Sequence, residues 1–164
     1  MEKHYTASII TVSDKGFNKL RDDLSGKEIK KILLDKGYSI DSYTIVPDEK
    51  DAIKIALLDA VKLNSNLILT TGGTGFSTRD VTPEATEDIL DKKAIGISEA
   101  ILFYSLSNTP RAMLSRGVAG IKNSSLIINL PGSPKAVNEC LSYIIDTLKH
   151  GIDILTGNAA ECAR

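Results

Sequence analysis

The run Leu67-Ile68-Leu69-Thr70-Thr71-Gly72-Gly73-Thr74-Gly75 constrains this chain more than any other stretch. An apolar strand enters a loop with three glycines in four residues. The loop passes through Arg79-Asp80 and ends at Thr82-Pro83, where Thr82 is predicted as the N-cap and Pro83 as the first helical residue. Strand, glycine loop and helix start, in that order, build a place for an anion: backbone N–H groups approach without a Cβ in the way, and the helix adds its positive end. A tight turn needing positive φ would explain Gly72-Gly73 alone. The interleaved hydroxyls of Thr71, Thr74, Ser77 and Thr78, with Asp80 close behind, point further, to a ligand. The loop is neither a Walker A motif nor a Gly-x-Gly-x-x-Gly fingerprint.

At 164 residues the chain is long enough for one domain with a real core, burying roughly 70% of its unfolded surface. We expect a single domain over residues 1–164. The net charge of −1 offers no basic field for nucleic acid. Cys140 and Cys162, without Cys-x-x-Cys spacing, read as reduced thiols. Neither a signal peptide nor an apolar run of about 18 residues is seen, so the expectation is a cytoplasmic protein without membrane contact.

Tyr5 to Ser13 is β-branched and apolar, a strand buried on both faces, ending at Ser13-Asp14. Asp14 there either faces a ligand or starts a turn with Lys15-Gly16. Lys15 to Leu24 reads as a long polar loop, and a helix follows Ser25-Gly26, with Gly37 as its C′ residue. Tyr38 to Val46 reads as a second strand. Asp48 then serves either as the N-cap of a helix from Lys50 to Leu63 or as a site residue. Further helices are expected over Pro83 to Asp91 and Ile95 to Leu106, with Lys92-Lys93-Ala94 as a connection and Val118 to Ile121 as a short edge strand. Ser125 to Leu130 reads as another buried strand. It leads through Pro131-Gly132-Ser133 into a helix with Ser133 as cap and Pro134 at its first position, running to about Leu148. Lys135 in that first turn opposes the helix dipole, which a nearby phosphate would explain.

This alternation predicts an α/β fold: a three-layer sandwich with a mostly parallel sheet and helices on both faces. Right-handed crossovers place the carboxyl ends of parallel strands on one edge. Ser13-Asp14, Asp48, Gly72 to Asp80 and Pro131 to Lys135 can all converge there. They bring donors, hydroxyls, Lys/Arg and carboxylates, without a nucleophile–histidine set. That inventory suits a phosphorylated ligand with Mg²⁺ and a transfer that depends on positioning and charge neutralisation.

These residues resemble the signature of the molybdopterin adenylyltransferase family, the MogA/MoaB proteins and the gephyrin G domain. The likeness lies in Thr70-Thr71-Gly72-Gly73-Thr74-Gly75 and Arg79-Asp80-Val81-Thr82-Pro83-Glu84-Ala85-Thr86. It extends to Thr11-Val12-Ser13-Asp14, Ser25-Gly26, Val46-Pro47-Asp48-Glu49, Met113-Leu114-Ser115-Arg116 and Ile128-Asn129-Leu130-Pro131-Gly132-Ser133. The resemblance implies a homotrimer with the MogA/MoaB-like fold. It also implies transfer of AMP from Mg²⁺-bound ATP to the terminal phosphate of molybdopterin, with release of pyrophosphate. It implies catalytic roles for Asp48 and Asp80, which we expect to organise Mg²⁺ and ATP. Substrate contacts are expected from Ser13, Asp14, Gly72, Gly73, Thr74, Gly75, Ser115, Pro131, Gly132, Ser133 and Lys135, and a separate molybdate-inserting protein as a further partner. The competing readings are a non-catalytic molybdopterin-binding scaffold using the same pocket and a pyrophosphate or nucleotide-sugar hydrolase on a related fold. A passive pocket has no need of metal-organising carboxylates.

Overall fold

The computed structural model describes residues 3–159, so Cys162 lies outside the described residues. Strand β1 (Tyr5–Val12) is followed by a single helical turn, α1 (Asp14–Phe17), and by α2 (Leu24–Asp35). Then come β2 (Tyr38–Val46), α3 (Lys50–Lys62), β3 (Leu67–Thr71) and α4 (Thr82–Glu87). The second half holds β4 (Lys92–Lys93), α5 (Ile95–Asn108), a 3₁₀ turn (Pro110–Leu114), β5 (Ala119–Lys122), β6 (Ser125–Leu130) and α6 (Pro134–Leu155). The strands form one sheet in the order β2-β1-β3-β6-β5-β4. The first four are parallel, and β5 and β4 run antiparallel at one end. This is the mixed, mostly parallel α/β sandwich that the alternation predicts.

Alternate side chains of the central strands feed two cores. Ala7 and Ile9, Leu67 and Leu69, and Leu126, Ile128 and Leu130 pack with α2, α5 and α6 on one face. Ile10 and Val12, Ile68 and Ile127 pack with α3 and α4 on the other. Every residue of β3 and β6 is buried, which is why their sequences are mostly aliphatic without polar alternation, the buried Thr70, Thr71, Ser125 and Asn129 standing at their ends.

Several boundaries differ from expectation. The supposed loop from Lys15 begins with a helical turn, because Ser13 caps α1 by accepting from the Gly16 N–H at 3.0 Å. Helix α2 starts at Leu24, before Ser25-Gly26, because Asp23 is its N-cap and accepts from the Gly26 N–H at 2.9 Å. Thr82 is no cap: Val81 holds that position without a side-chain bond, and the Thr82 hydroxyl donates to the Gly72 carbonyl at 3.0 Å. Helix α4 stops at Glu87, and Lys92-Lys93 pair with Ile121 and Gly120 as an edge strand, so β5 lies inside the sheet. Helix α6 continues past Leu148 to Leu155, since Ile152 extends its buried stripe.

Asp23 is buried and accepts from the Thr11 hydroxyl at 2.7 Å and from the Tyr43 hydroxyl, besides capping α2. Asp23→Ala strands these donors as well as removing the cap. We expect it to lower stability by about 2–4 kcal/mol in urea unfolding, with Asp23→Asn, which keeps an acceptor, losing less.

Candidate functional site

The carboxyl ends of β1, β2, β3 and β6 share one edge of the sheet, where open α/β folds bind ligands. The loops after β3 and β6 are clamped together there. The Thr71 hydroxyl donates to the Pro131 carbonyl at 2.6 Å, and a Cβ on Gly132 would lie 3.4 Å from the Gly72 Cα. Gly72 (φ +94°) and Gly73 (φ +67°) adopt backbone that L side chains avoid, and a Cβ on Gly72 would run into the Val12 carbonyl oxygen. The glycines therefore serve both the turn and the close approach of three chain segments.

A cavity of about 520 Å³ opens beside this loop, within the range of small-molecule sites. Gly72, Gly73, Thr74, Gly75 and Asp80 line one end, with Ser115, Pro131 and Gly132 beside them. Ile101, Leu102 and Leu114 supply an apolar wall. A second cavity of about 270 Å³ lies against Ser13, Arg21, Asp23 and Ser25, and shares Gly72 and Gly132 with the first. Asp14, Asp48, Ser133 and Lys135 line neither cavity: the two aspartates bond each other beside the loop, the Ser133 hydroxyl caps α6 through the Ala136 N–H at 3.1 Å, and Lys135 is exposed.

Asp48 is not the cap of α3; Glu49 occupies that position. Instead Asp14 and Asp48 exchange hydrogen bonds. The Asp14 N–H donates to Asp48 Oδ2 at 2.8 Å, and the Asp48 N–H donates to Asp14 Oδ1 at 2.9 Å. Arg79 completes the clasp with a forked pair to Asp14, Nε to Oδ2 at 3.0 Å and Nη2 to Oδ1 at 2.9 Å. Both oxygens of Asp14 are thus engaged, and the Arg79 and Asp48 N–H bonds hold its carboxyl below the usual range. The turn expected at Asp14 is present, since it starts α1; its carboxylate anchors Asp48 and lines neither cavity. Burial, reinforced by the charges of Asp14 and Asp80, pushes the Asp48 carboxyl up. Asp80 Oδ2 accepts from the Ser77 N–H at 2.9 Å. Among the described residues, Asp48 Oδ1 and Asp80 Oδ1 have no hydrogen-bond donor, and the N–H groups of Gly73, Thr74, Gly75 and Phe76 have no acceptor.

Two arginines complete the site, and neither stands among the residues singled out from sequence. Arg79 anchors the clasp. Arg116 donates to the carbonyls of Gly75 (Nε, 2.8 Å) and Asp80 (Nη2, 2.8 Å), pairs with Glu84, and bonds the Thr74 carbonyl through its own N–H at 2.9 Å. Burial is the largest single influence on Glu84 and opposes its ionisation, but the Arg116 hydrogen bond, a backbone hydrogen bond and the charges of Arg116 and Lys50 together outweigh it and its carboxyl is lowered. Both arginines sit inside the quoted motifs; what the sequence lacks is the distance relation that joins residue 116 to residue 75.

Fold and site together define an α/β protein that presents a backbone anion cradle and two carboxylates at the carboxyl edge of a parallel sheet. A family model described as "Probable molybdopterin binding domain" matches residues 8–150, and the chain belongs to that family. It is 41% identical over 155 residues to a molybdopterin adenylyltransferase of Helicobacter pylori, covering 92% of this chain and 87% of that one. Gephyrin of Dictyostelium discoideum is 41% identical over 164 residues, but the match spans 23% of its length. Among solved structures, the molybdopterin biosynthesis enzyme MoaB of Thermus thermophilus superposes with a TM-score of 0.87 at 44% identity, covering 93% of this chain and 97% of that one.

A raised carboxyl favours the folded state most when protonated. That contribution is complete below the unfolded pKa and is lost as pH rises through the folded value. Asp48→Asn keeps an oxygen for the Asp14 N–H and removes the charge. We expect it to melt at a higher temperature than the wild type at pH 7, with the gap closing below about pH 4. Thermal unfolding followed by circular dichroism against pH measures this.

Proposed function

We propose that this protein is a molybdopterin adenylyltransferase of molybdenum cofactor biosynthesis, transferring AMP from ATP to the terminal phosphate of molybdopterin with release of pyrophosphate. One observation carries the proposal: four unpaired backbone donors and two carboxylates, each with an oxygen to spare, share one edge that borders a ligand-sized cavity. The Helicobacter pylori relative, similar over most of both chains, is named for that activity.

A phosphate monoester is largely ionised near neutral pH, so the attacking oxygen needs no strong general base. The protein's work is to hold two polyanions with a phosphate oxygen facing the α-phosphorus of ATP. The N–H groups of Gly73 to Phe76 would bind phosphate oxygens, with the Thr74 and Ser115 hydroxyls beside them and Ser13 on the second-cavity side. The apolar wall of the larger cavity would take a flat heterocycle. Asp48 and Asp80 fit Mg²⁺, which uses one or two carboxylates and completes its shell with phosphate and water oxygens. No group of three or more metal-ligating side chains occurs among the described residues, so substrate and water would supply the other ligands. Bound there, Mg²⁺ would neutralise charge developing on the leaving pyrophosphate.

A homotrimer is also proposed. Helix α5 carries apolar residues that the fold leaves uncovered: Ile95 and Phe103 are exposed at 57% and 78%, and Met113 in the following 3₁₀ turn is exposed as well. A surface of this kind points to a protein contact. No helix among the described residues is long and apolar enough to cross a membrane. We propose a cytoplasmic location and a separate molybdate-inserting partner.

The protein with molybdopterin, ATP and Mg²⁺ is expected to yield adenylylated molybdopterin and pyrophosphate in equal amounts, and EDTA to abolish both. Asp80→Asn should reduce turnover on the order of 10²–10³-fold while molybdopterin binding is largely kept. Binding without transfer would identify a scaffold, and AMP released to water a hydrolase. Equal losses of turnover and binding would make Asp80 a binding or folding residue.

A further inference from the structure

We propose that Arg116 is the positioning residue of the anion cradle: it draws three loop carbonyls to one side and thereby aims the loop's N–H groups at the cavity. This rests on the glycine loop being the phosphate site. The described residues contain no cis peptide, and in a trans peptide the C=O and N–H point in opposite directions. The Thr74 carbonyl is held by the Arg116 N–H, so the Gly75 N–H faces away from Arg116. The Gly75 carbonyl is held by Arg116 Nε, so the Phe76 N–H faces away as well. Gly75, Ser115 and Gly117 line the larger cavity and Arg116 does not, which places the guanidinium behind the loop and the Gly75 donor on its open side; Phe76, next along the loop, lines neither cavity.

The third bond, from Nη2 to the Asp80 carbonyl, fixes the far end of the same loop and so the point from which the Asp80 carboxylate projects. Glu84 takes the remaining arm of the fork and supplies the countercharge from the first turn of α4. Thr74 is buried, so a loop with its N–H unpaired needs outside support to persist without an anion. One planar guanidinium reaching two carbonyls and a carboxylate supplies that support. A lysine ammonium, a point charge on a flexible stem, cannot span all three.

The test is binding of inorganic pyrophosphate to the full-length, ¹⁵N-labelled protein, read from amide shifts, with thermal unfolding in parallel. In the wild type, pyrophosphate should shift the amides of Gly73, Thr74, Gly75 and Phe76. Arg116→Lys should weaken binding about tenfold or more and lose the Phe76 shift while keeping that of Gly75, whose carbonyl partner Thr74 is held by the main-chain N–H of residue 116, with the unfolding midpoint moving by only a few degrees. Glu84→Gln retains the carbonyl contacts and should bind pyrophosphate at least as tightly as the wild type. Free guanidinium ion should recover part of the binding lost in Arg116→Ala. If that variant does not fold, Arg116→Lys and Glu84→Gln decide. The proposal is overturned if pyrophosphate leaves the four amides unmoved, if Arg116→Lys binds like the wild type, or if Glu84→Gln loses binding as Arg116→Lys does. Because no turnover is read, a protein that binds pyrophosphate through Arg116 but transfers no AMP would overturn the transferase reading and leave this one standing.

Discussion

Parallel strands buried on both faces impose the constraint from which the rest of this structure follows. Such strands cannot be joined by tight hairpins, so each return passes through a helix on one face or the other. The carboxyl ends of β1, β2, β3 and β6 are thereby brought to a single edge. Four loops then compete for one small area. Contact distances there are set by backbone: the Val12 carbonyl excludes a Cβ at Gly72, and Gly132 sits against the Gly72 Cα. Close packing of loops and access for a polyanion have the same steric requirement, a backbone without side chains, so the glycines meet both.

Charge at that edge is sorted by the two arginines. Arg79 engages Asp14 and Arg116 engages Glu84, so two of the four carboxylates nearby are neutralised by partners that also hold the architecture. Among the described residues, Asp48 and Asp80 form no ion pair. Asp48 is the costlier of the two, since its burial and its acidic neighbours raise its carboxyl. Unpaired, partly buried carboxylates beside a row of unpaired N–H donors would be a liability in a purely structural loop. Their cost is intelligible if a ligand carrying both negative oxygens and a divalent cation completes both sets.

Much of this was legible in the sequence because it was local. The burial of β3 and β6 follows from their runs of β-branched and aliphatic residues, and the Ser133-Pro134 start of α6 from cap chemistry. What escaped was tertiary. Asp48 looks like an N-cap at its spacing from Lys50, yet Asp14, 34 residues earlier, claims its carboxylate. Thr82 looks like a cap before Pro83, yet the Gly72 carbonyl takes its hydroxyl. Lys92-Lys93 looks like a connection because a two-residue strand has no periodicity to read; its pairing with β5 alone defines it. Asp14 was legible as the start of a turn at the strand's carboxyl end, but its forked pair with Arg79 joins residues that spacing does not connect.

The side chains absent from the cavity limit its chemistry as firmly as those present. Among the described residues no histidine or cysteine lines the larger cavity. His4 stands before the amino end of β1, at the opposite edge of the sheet, and Cys140 is buried against the Ser105 hydroxyl with its thiol pushed up by burial. A covalent intermediate on a thiolate or a histidine-activated hydroxyl therefore has no seat here. What remains are fixed donors, the carboxylates of Asp80, Glu99 and Glu139, the Arg111 guanidinium and an apolar wall, with Asp48 on the same edge of the sheet. Such a site can accelerate a reaction between two substrates only by holding them in line and stabilising the charge they exchange. Phosphoryl and nucleotidyl transfer is the chemistry for which that suffices, since nucleophile and leaving group both arrive with the substrates.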